Sequence, residues 1–194
     1  VRRVRIQFSG RNVRQRAFTA ATEMLQEEGW EALSVRAIAK RARIGASSIY
    51  HHFPNKESLL LLIAVKGFKS LTSEIEDSGT PEGQLAPFAS ASRVFLNHVA
   101  NEPALHDLMF NRHLLSCHEE LRQAERDAFN AFSRKVEADP RFPSRQSTAI
   151  ATTMWALGRG LAATALSSPE RELPAELRLK IGEGLAYLIE RHDS

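Results

Sequence analysis

Punctuation between Gly29 and Asn55 constrains this chain more than any other feature of its sequence. Gly29 stops an amphipathic stretch, in the helix C-terminal position that glycine favours because it reaches positive φ without a steric penalty. Ser34 stands where a side-chain oxygen caps the next helix, predicted over 35–41 with Ile38, Ala39 and Ala42 facing inward. After Arg43, Ile44 and Gly45 comes a third helix, 46–52, which ends at Phe53-Pro54 because proline disfavours helix in the residue before it. Asn55 caps the next. Two short helices, a tight turn and a longer first helix over 11–28, with Phe18, Ala21, Met24 and Leu25 on one face, describe a helix-turn-helix. Ile44 and Ile49 complete its small core.

The rest reads as helix throughout, with few alternating runs and few hairpin dipeptides. A fourth helix over 56–73 carries Leu60, Ile63, Ala64, Gly67 and Leu71 on one face, and a loop follows at 77–83. Further helices are predicted over 85–101, 103–110, 118–138, 144–167 and 174–191. Pro103, Pro143 and Pro174 stand at helix starts, where a missing N–H costs least. The fold class is therefore all-α, about nine helices without a sheet. The boundaries expected are a basic arm over 1–10, a helix-turn-helix domain over 11–56 and a larger body over 57–194.

Composition narrows the classes. At 43% apolar residues in 194, a core can be buried. Cys117 is the single cysteine, so an intramolecular disulfide scaffold and a Cys-rich zinc module are excluded, and a reducing cytoplasm is expected. No apolar signal core follows Val1-Arg2-Arg3-Val4-Arg5. The uncharged run from Gln146 to Pro169 is broken by Arg159, which would cost roughly 2.5–3.5 kcal/mol at mid-membrane, so a buried interface helix is expected and no membrane partner. Charge is segregated: residues 1–56 hold 11 Lys and Arg against 4 acids, a net +7, which leaves −4 for the remainder. A basic head on an acidic body suits a polyanion partner.

On the third helix, Ala46, Ser47, Tyr50 and His51 are left facing outward, flanked by Arg36, Lys40, Arg41 and Lys56. Short polar or planar side chains ringed by cations suit a helix whose N-terminal end meets base edges while its neighbours bind phosphates. Residues 14–60, from Arg14-Gln15-Arg16 through Gly29-Trp30 and Ser34-Val35-Arg36-Ala37-Ile38-Ala39 to Tyr50-His51-His52-Phe53-Pro54-Asn55-Lys56-Glu57-Ser58-Leu59, resemble the DNA-binding domain of the TetR (tetracycline-repressor) family. The resemblance implies an all-helical homodimeric transcription regulator, a repressor released from a near-palindromic double-stranded DNA operator by a small-molecule effector. It also implies that Ser34, Tyr50 and Lys56 meet phosphates, that Arg36 lies at the groove rim, and that Ala46, Ser47 and His51 face bases with Ser48 beside them. Two positions depart from the family pattern. Arg43 stands where glycine is usual and Gly45 where serine is usual, so either Arg43 adopts a left-handed backbone at a cost on the order of 1 kcal/mol or the turn shifts by one residue.

The body resembles, more weakly, a subclass of the family with a Trp-His-Gly signature. Its segments are Phe95-Leu96, Glu102-Pro103-Ala104-Leu105, Leu108-Met109-Phe110 and Met154-Trp155 through Ala162, with Arg159 where the histidine is usual. Phe95, Met109, Phe110, Phe129, Trp155 and Arg159 are the candidate effector-binding residues, and these aromatics, with Phe88 and Phe132, either line a cavity or fill the core. Arg159 in an apolar helix needs a partner: an acid, a carbonyl end or an anionic ligand. The loose group of His106, His113, Cys117 and His118 lacks converging ligand spacing, so no metal is expected; surface histidines and a buried thiol account for it. No catalytic residues and no cofactor are assigned. The competing classes are a helical enzyme working around Cys117 or His98, and an interaction module with an incidental basic face. For the dimer, the small residues Ala149, Ala151, Ala156, Gly158, Gly160, Ala162 and Ala163 and the stripe Leu177, Ile181, Leu185 and Leu188 suit close packing of two helices per chain.

Overall fold

The computed structural model describes residues 10–79, 86–142, 144–168, 174–177, 179, 180 and 183. They form α1 (Gly10–Glu28), α2 (Val35–Ala42), α3 (Ala46–Tyr50), α4 (Lys56–Asp77), α5 (Pro87–Asn101), α6 (Pro103–Met109), α7 (Arg112–Cys117), α8 (Glu119–Glu137) and α9 (Ser147–Ser167), with a 3-10 turn over Ser144–Gln146. No strand occurs among the described residues. Residues 1–9 of the expected arm, and Ile181, Leu185 and Leu188 of the expected C-terminal stripe, lie outside the described residues.

Side-chain caps fix the starts of α2 and α4 as expected. Ser34 Oγ accepts the Ala37 N–H at 3.2 Å, and Asn55 with Ser58 forms a reciprocal capping box at the head of α4. Helix α4 runs a turn past the predicted Ser73 because Ile75 continues its buried face. Two expectations are corrected. The helix predicted from residue 144 opens as a 3-10 turn, and α7 was not foreseen: Asn111 caps it, accepting the Leu114 N–H at 3.0 Å, but only Leu114 in it is buried.

Helix α4 is the central rod. Leu59, Ile63, Phe68, Leu71 and Ile75 are essentially sealed from solvent, and the rod packs on Leu121, Ala128 and Val136 of α8 and on Leu105, Leu108 and Met109 of α6. Helices α1 to α3 gather at its N-terminal end around Leu25, Ile38 and Ile49. Helix α1 also touches α6, which joins this head to the body a second time.

Gly67 sets the α4–α6 spacing. A Cβ there would stand 2.6 Å from Met109 Sδ and 3.2 Å from Leu105 Cδ1. Met109 can swing aside for one methyl, but no larger branch fits, so Gly67→Leu is expected to lower stability by about 1–3 kcal/mol in urea unfolding. An unchanged midpoint would show that α6 is free to retreat.

Helix α9 is two-faced. Ser147, Ala151, Trp155, Ala162 and Ala165 are buried within the chain, while Ala149, Ala156, Gly160 and Ala163 are exposed. Gly158 packs inward, where a Cβ would meet Phe95 Cε1 at 3.0 Å, whereas a Cβ on Gly160 meets nothing within 4 Å. Ala151, Gly158 and Ala162 therefore leave the expected dimer set, being used by their own chain's core. No described helix is long and apolar enough to cross a membrane.

Candidate nucleic-acid interface

Arg43 carries the turn in the left-handed conformation, φ 53 and ψ 45, the one non-glycine residue with positive φ among the described residues. The turn does not shift, and α3 starts at Ala46 as predicted. Several bonds hold it there. The Arg43 N–H reaches Lys40 O at 3.2 Å and the Ile44 N–H reaches Ala39 O at 3.0 Å, satisfying carbonyls at the end of α2. From α1, the Arg16 guanidinium donates to the carbonyls of Ala42 and Arg43.

Helix α3 is fixed from one side by Ile49, which is fully buried. That rotation leaves Ser47, Tyr50 and His51 exposed, Tyr50 at 50%, with Ala46 and Ser48 half-buried beside them. Ser34 and Arg36 are exposed at the head of α2, and Lys40 and Arg43 at its end. Lys56 is engaged: its Nζ donates to Glu31 O at 2.9 Å and lies 5.9 Å from the Trp30 ring centre, and burial holds its pKa below the usual lysine range. Arg41, expected among the flanking cations, turns to α1 instead, with a two-pronged pair to Glu27 at 3.0 and 2.6 Å and Glu23 at 3.8 Å.

In the body, the six expected effector residues part company. Phe110 and Arg159 line a cleft of about 740 Å³ between the Gly29-Trp30-Glu31 turn, α6 and α9. Phe95 and Trp155 line a separate apolar hollow of about 160 Å³ between α5, α8 and α9. Met109 and Phe129 line neither. Met109 is sealed in the core with Sδ 3.2 Å from His98 Nε2, and Phe129 sets its ring 5.8 Å from Trp155. Arg159 finds an acid, Glu125 at 3.2 Å, and stacks 4.4 Å above the Phe110 ring.

Two cleft residues were missed from sequence. Trp30 Nε1 donates to Asp107 Oδ2 at 2.7 Å, tying the head to α6. His106 is 3% exposed and its Nδ1 has no hydrogen-bond partner. Its spacing held a signal: Pro103 lies three residues before it and Phe110 four after, so a helical period turns it inward with them.

Burial, with His98 and Arg159 nearby, pushes the His106 pKa down to about 3. Above the ordinary value of 6.5 both folded and unfolded imidazoles are neutral. Below it only the unfolded one takes up a proton, so stability is lost as pH falls from about 6.5 towards 3, at up to about 1.4 kcal/mol per unit. Burial depresses His98 as well, with the same sign. Between pH 7 and pH 5 the unfolding free energy should therefore drop by about 2 kcal/mol from His106 alone. In His106→Phe that part of the slope should vanish; a pH-independent wild type would contradict it.

His113 of α7 and His118 at the head of α8 both meet Glu57 of α4. His118 Nε2 lies 2.7 Å from Glu57 Oε1 and His113 Nε2 lies 3.6 Å from Glu57 Oε2, and the His118 hydrogen bond leads in holding the Glu57 pKa below the usual carboxylate range. Cys117 is exposed, not the buried thiol expected, with Sγ 3.8 Å from His113 Nδ1; His106, expected at the surface, is the buried member. The helix end that carries Cys117 faces solvent because only Leu114 anchors it. Among the described residues no three His, Cys, Asp or Glu converge on a metal position.

Known proteins are similar to this chain in sequence and in fold. Residues 18–63 match the family model of bacterial regulatory proteins, tetR family. The HTH-type transcriptional regulator Rv1556 of Mycobacterium tuberculosis is 30% identical over 96 residues, which is 44% of this chain and 48% of that protein. The HTH-type transcriptional regulator UidR of Escherichia coli is 34% identical over 61 residues, 31% of each. The matched part of the chain thus spans about half the length of the first relative and less of the second. The crystal structure of a regulatory protein in the tetR family from Rhodococcus RHA1 superposes with a TM-score of 0.66 at 20% identity, covering 95% of this chain and 97% of that one. Residues 18–63 are thus similar to the tetR-family model, and the described helices adopt the fold of a solved tetR-family regulator.

Proposed function

We propose that this protein is a dimeric, effector-responsive transcriptional regulator of the cytoplasm, a repressor that leaves a near-palindromic operator when its effector binds. In this reading residues 11–56 read DNA and residues 57–194 dimerise and hold the effector. The observation that carries it is the outward face of α3: Ile49 is locked inside, so Ser47, Tyr50 and His51 present polar and planar groups beside the exposed Arg36, Lys40 and Arg43. Such a face suits the major groove, with Ser34, Tyr50 and Lys56 on phosphates and Ala46, Ser47, Ser48 and His51 towards base edges. Two copies would set their α3 helices about 34–36 Å apart, one turn of duplex. The exposed Ala149, Thr153 and Thr164 of α9 and the half-buried Leu177 supply the surface for the second copy, while Ala156, Gly160 and Ala163 stand where that surface meets the cleft beside α6. The body reads as a variant of the Trp-His-Gly subclass in which Arg159 replaces the histidine.

The test is a gel shift with the full chain against DNA fragments taken upstream of its own gene. One fragment is expected to be retained in the presence of excess competitor, with affinity falling steeply as salt rises. Equal, weak binding to every fragment would favour a helical module with an incidental basic face.

A further inference from the structure

We propose that the cleft between the Gly29-Trp30-Glu31 turn, α6 and α9 is the effector site, and that it takes a small organic monocarboxylate held head-first by Arg159 and His106; this rests on the regulator reading above. The cleft's volume of about 740 Å³ falls within the range of small-molecule pockets. His106 supplies the first argument. A buried imidazole nitrogen without a partner is costly, and it becomes satisfied when a ligand atom reaches it. Arg159 supplies the second. Its guanidinium holds one carboxylate, Glu125, at 3.2 Å through a single nitrogen, leaving the rest of a five-donor fork. The Phe110 ring lies under both, 4.4 Å from the guanidinium and 4.7 Å from the imidazole centre. Both groups therefore lie against one ring at the same end of the cleft. His106 Nδ1 is sealed in the free protein, so the ligand turns the neutral imidazole until an Nδ1–H donates beside Arg159, as a carboxylate requires.

The rest of the lining sets the class. Glu28, Glu31 and Asp107 also border the cleft, so three acids stand against one arginine. That lining repels a dianion such as phosphate more strongly than a single carboxylate, whose one charge the Arg159 fork offsets locally. Pro103, Ala104 and Leu166 give its remainder an apolar wall. A ligand filling the cleft presses on the turn whose Glu31 carbonyl holds Lys56 and whose Trp30 is tied to Asp107. Binding at this site thereby reaches a residue assigned to DNA, and a coupling of roughly 5–150-fold in operator affinity is the ordinary range for such a link.

The experiment titrates the full chain with benzoate, phenylacetate, octanoate and inorganic phosphate by calorimetry, and repeats the titration on the operator complex by fluorescence anisotropy. At least one carboxylate should bind and weaken DNA affinity, and phosphate should not bind. Arg159→Gln should weaken carboxylate binding roughly 10–100-fold, the scale of one lost charged hydrogen bond, with an unchanged circular dichroism spectrum. Glu125→Gln should strengthen it several-fold, since the carboxylate competing for Arg159 is removed; a merely structural Glu125 would do the reverse. This second variant decides the matter if Arg159→Gln does not fold. Silence from all three carboxylates, equal binding of phosphate, or weaker binding in Glu125→Gln overturns the inference while operator binding persists. A folded dimer that retains no fragment overturns the regulator reading instead, and the titrations still decide what the cleft holds.

Discussion

Tyr50→Ala/Lys56→Ala is expected to bind the operator at least roughly 100-fold more weakly than the wild type, with the helical fold intact. Half-exposed and outside the core, the Tyr50 side chain costs the fold little when truncated. Lys56 has a larger local role. Its ammonium crosses to Glu31 O and the Trp30 ring in the free protein, so on DNA it exchanges a carbonyl and an aromatic face for a phosphate. That exchange is favourable because a phosphate carries a full charge where the carbonyl carries a dipole. Two contacts at roughly 1–3 kcal/mol each set the magnitude, and losing one cationic phosphate contact should also reduce the salt slope by about one. The control is Arg41→Ala. Arg41 lies as near in sequence but is spent on Glu27 and Glu23, so its removal should change operator affinity little. Anisotropy titrations of the three proteins at several salt concentrations give the answer. Loss of affinity in Arg41→Ala equal to that of the double variant would mean a diffuse basic face, without a docked α3.

These contrasts mark where the sequence was legible. Caps are local, so Ser34 and Asn55 announced α2 and α4, and Arg43 in place of a turn glycine left two alternatives, a left-handed residue or a shifted turn, of which the first holds. The outward set on α3 followed from the position of Ile49. What escaped was non-local. Nothing near Arg41 says that its partner lies on α1, and nothing near Trp30 points to Asp107, 77 positions on. The six candidate effector residues were chosen by type, and type does not tell which side of a wall a ring occupies. Phe95 and Trp155 turned to one hollow and Phe110 and Arg159 to another because α9 places Trp155 inward and Arg159 a turn further round. Short, weakly anchored α7 left no apolar period to read. Small residues on α9 share a composition but not a face: Gly158 lies against Phe95 and Gly160, two positions on, opens to solvent.

That division of α9 yields the second large effect. Thr153 and Thr164 are exposed on the Gly160 side of the helix, their hydroxyls bonded back to Ala149 O and Gly160 O, and neither borders the cleft. Replacing both with arginine puts two long cations where a second copy's helix would approach, without touching the chain's own core. The double variant Thr153→Arg/Thr164→Arg is expected to sediment as a monomer, its unfolding free energy per chain falling only by what the lost interface contributed. Operator affinity should fall at least on the order of 100-fold, because a monomer meets one half-site and forfeits the effective concentration that the paired head supplies. Gly160→Ala probes the edge of the same surface, where Gly160 also borders the cleft. On a helix facing water, alanine in place of glycine raises stability by roughly 0.5–1 kcal/mol, whereas against a closely packed partner the added methyl pushes the helices apart and lowers dimer affinity. If Gly160→Ala stabilises the protein and leaves its dimer affinity unchanged, and the double arginine variant remains a dimer, then the second copy sits elsewhere and α9 shows its small residues to solvent alone.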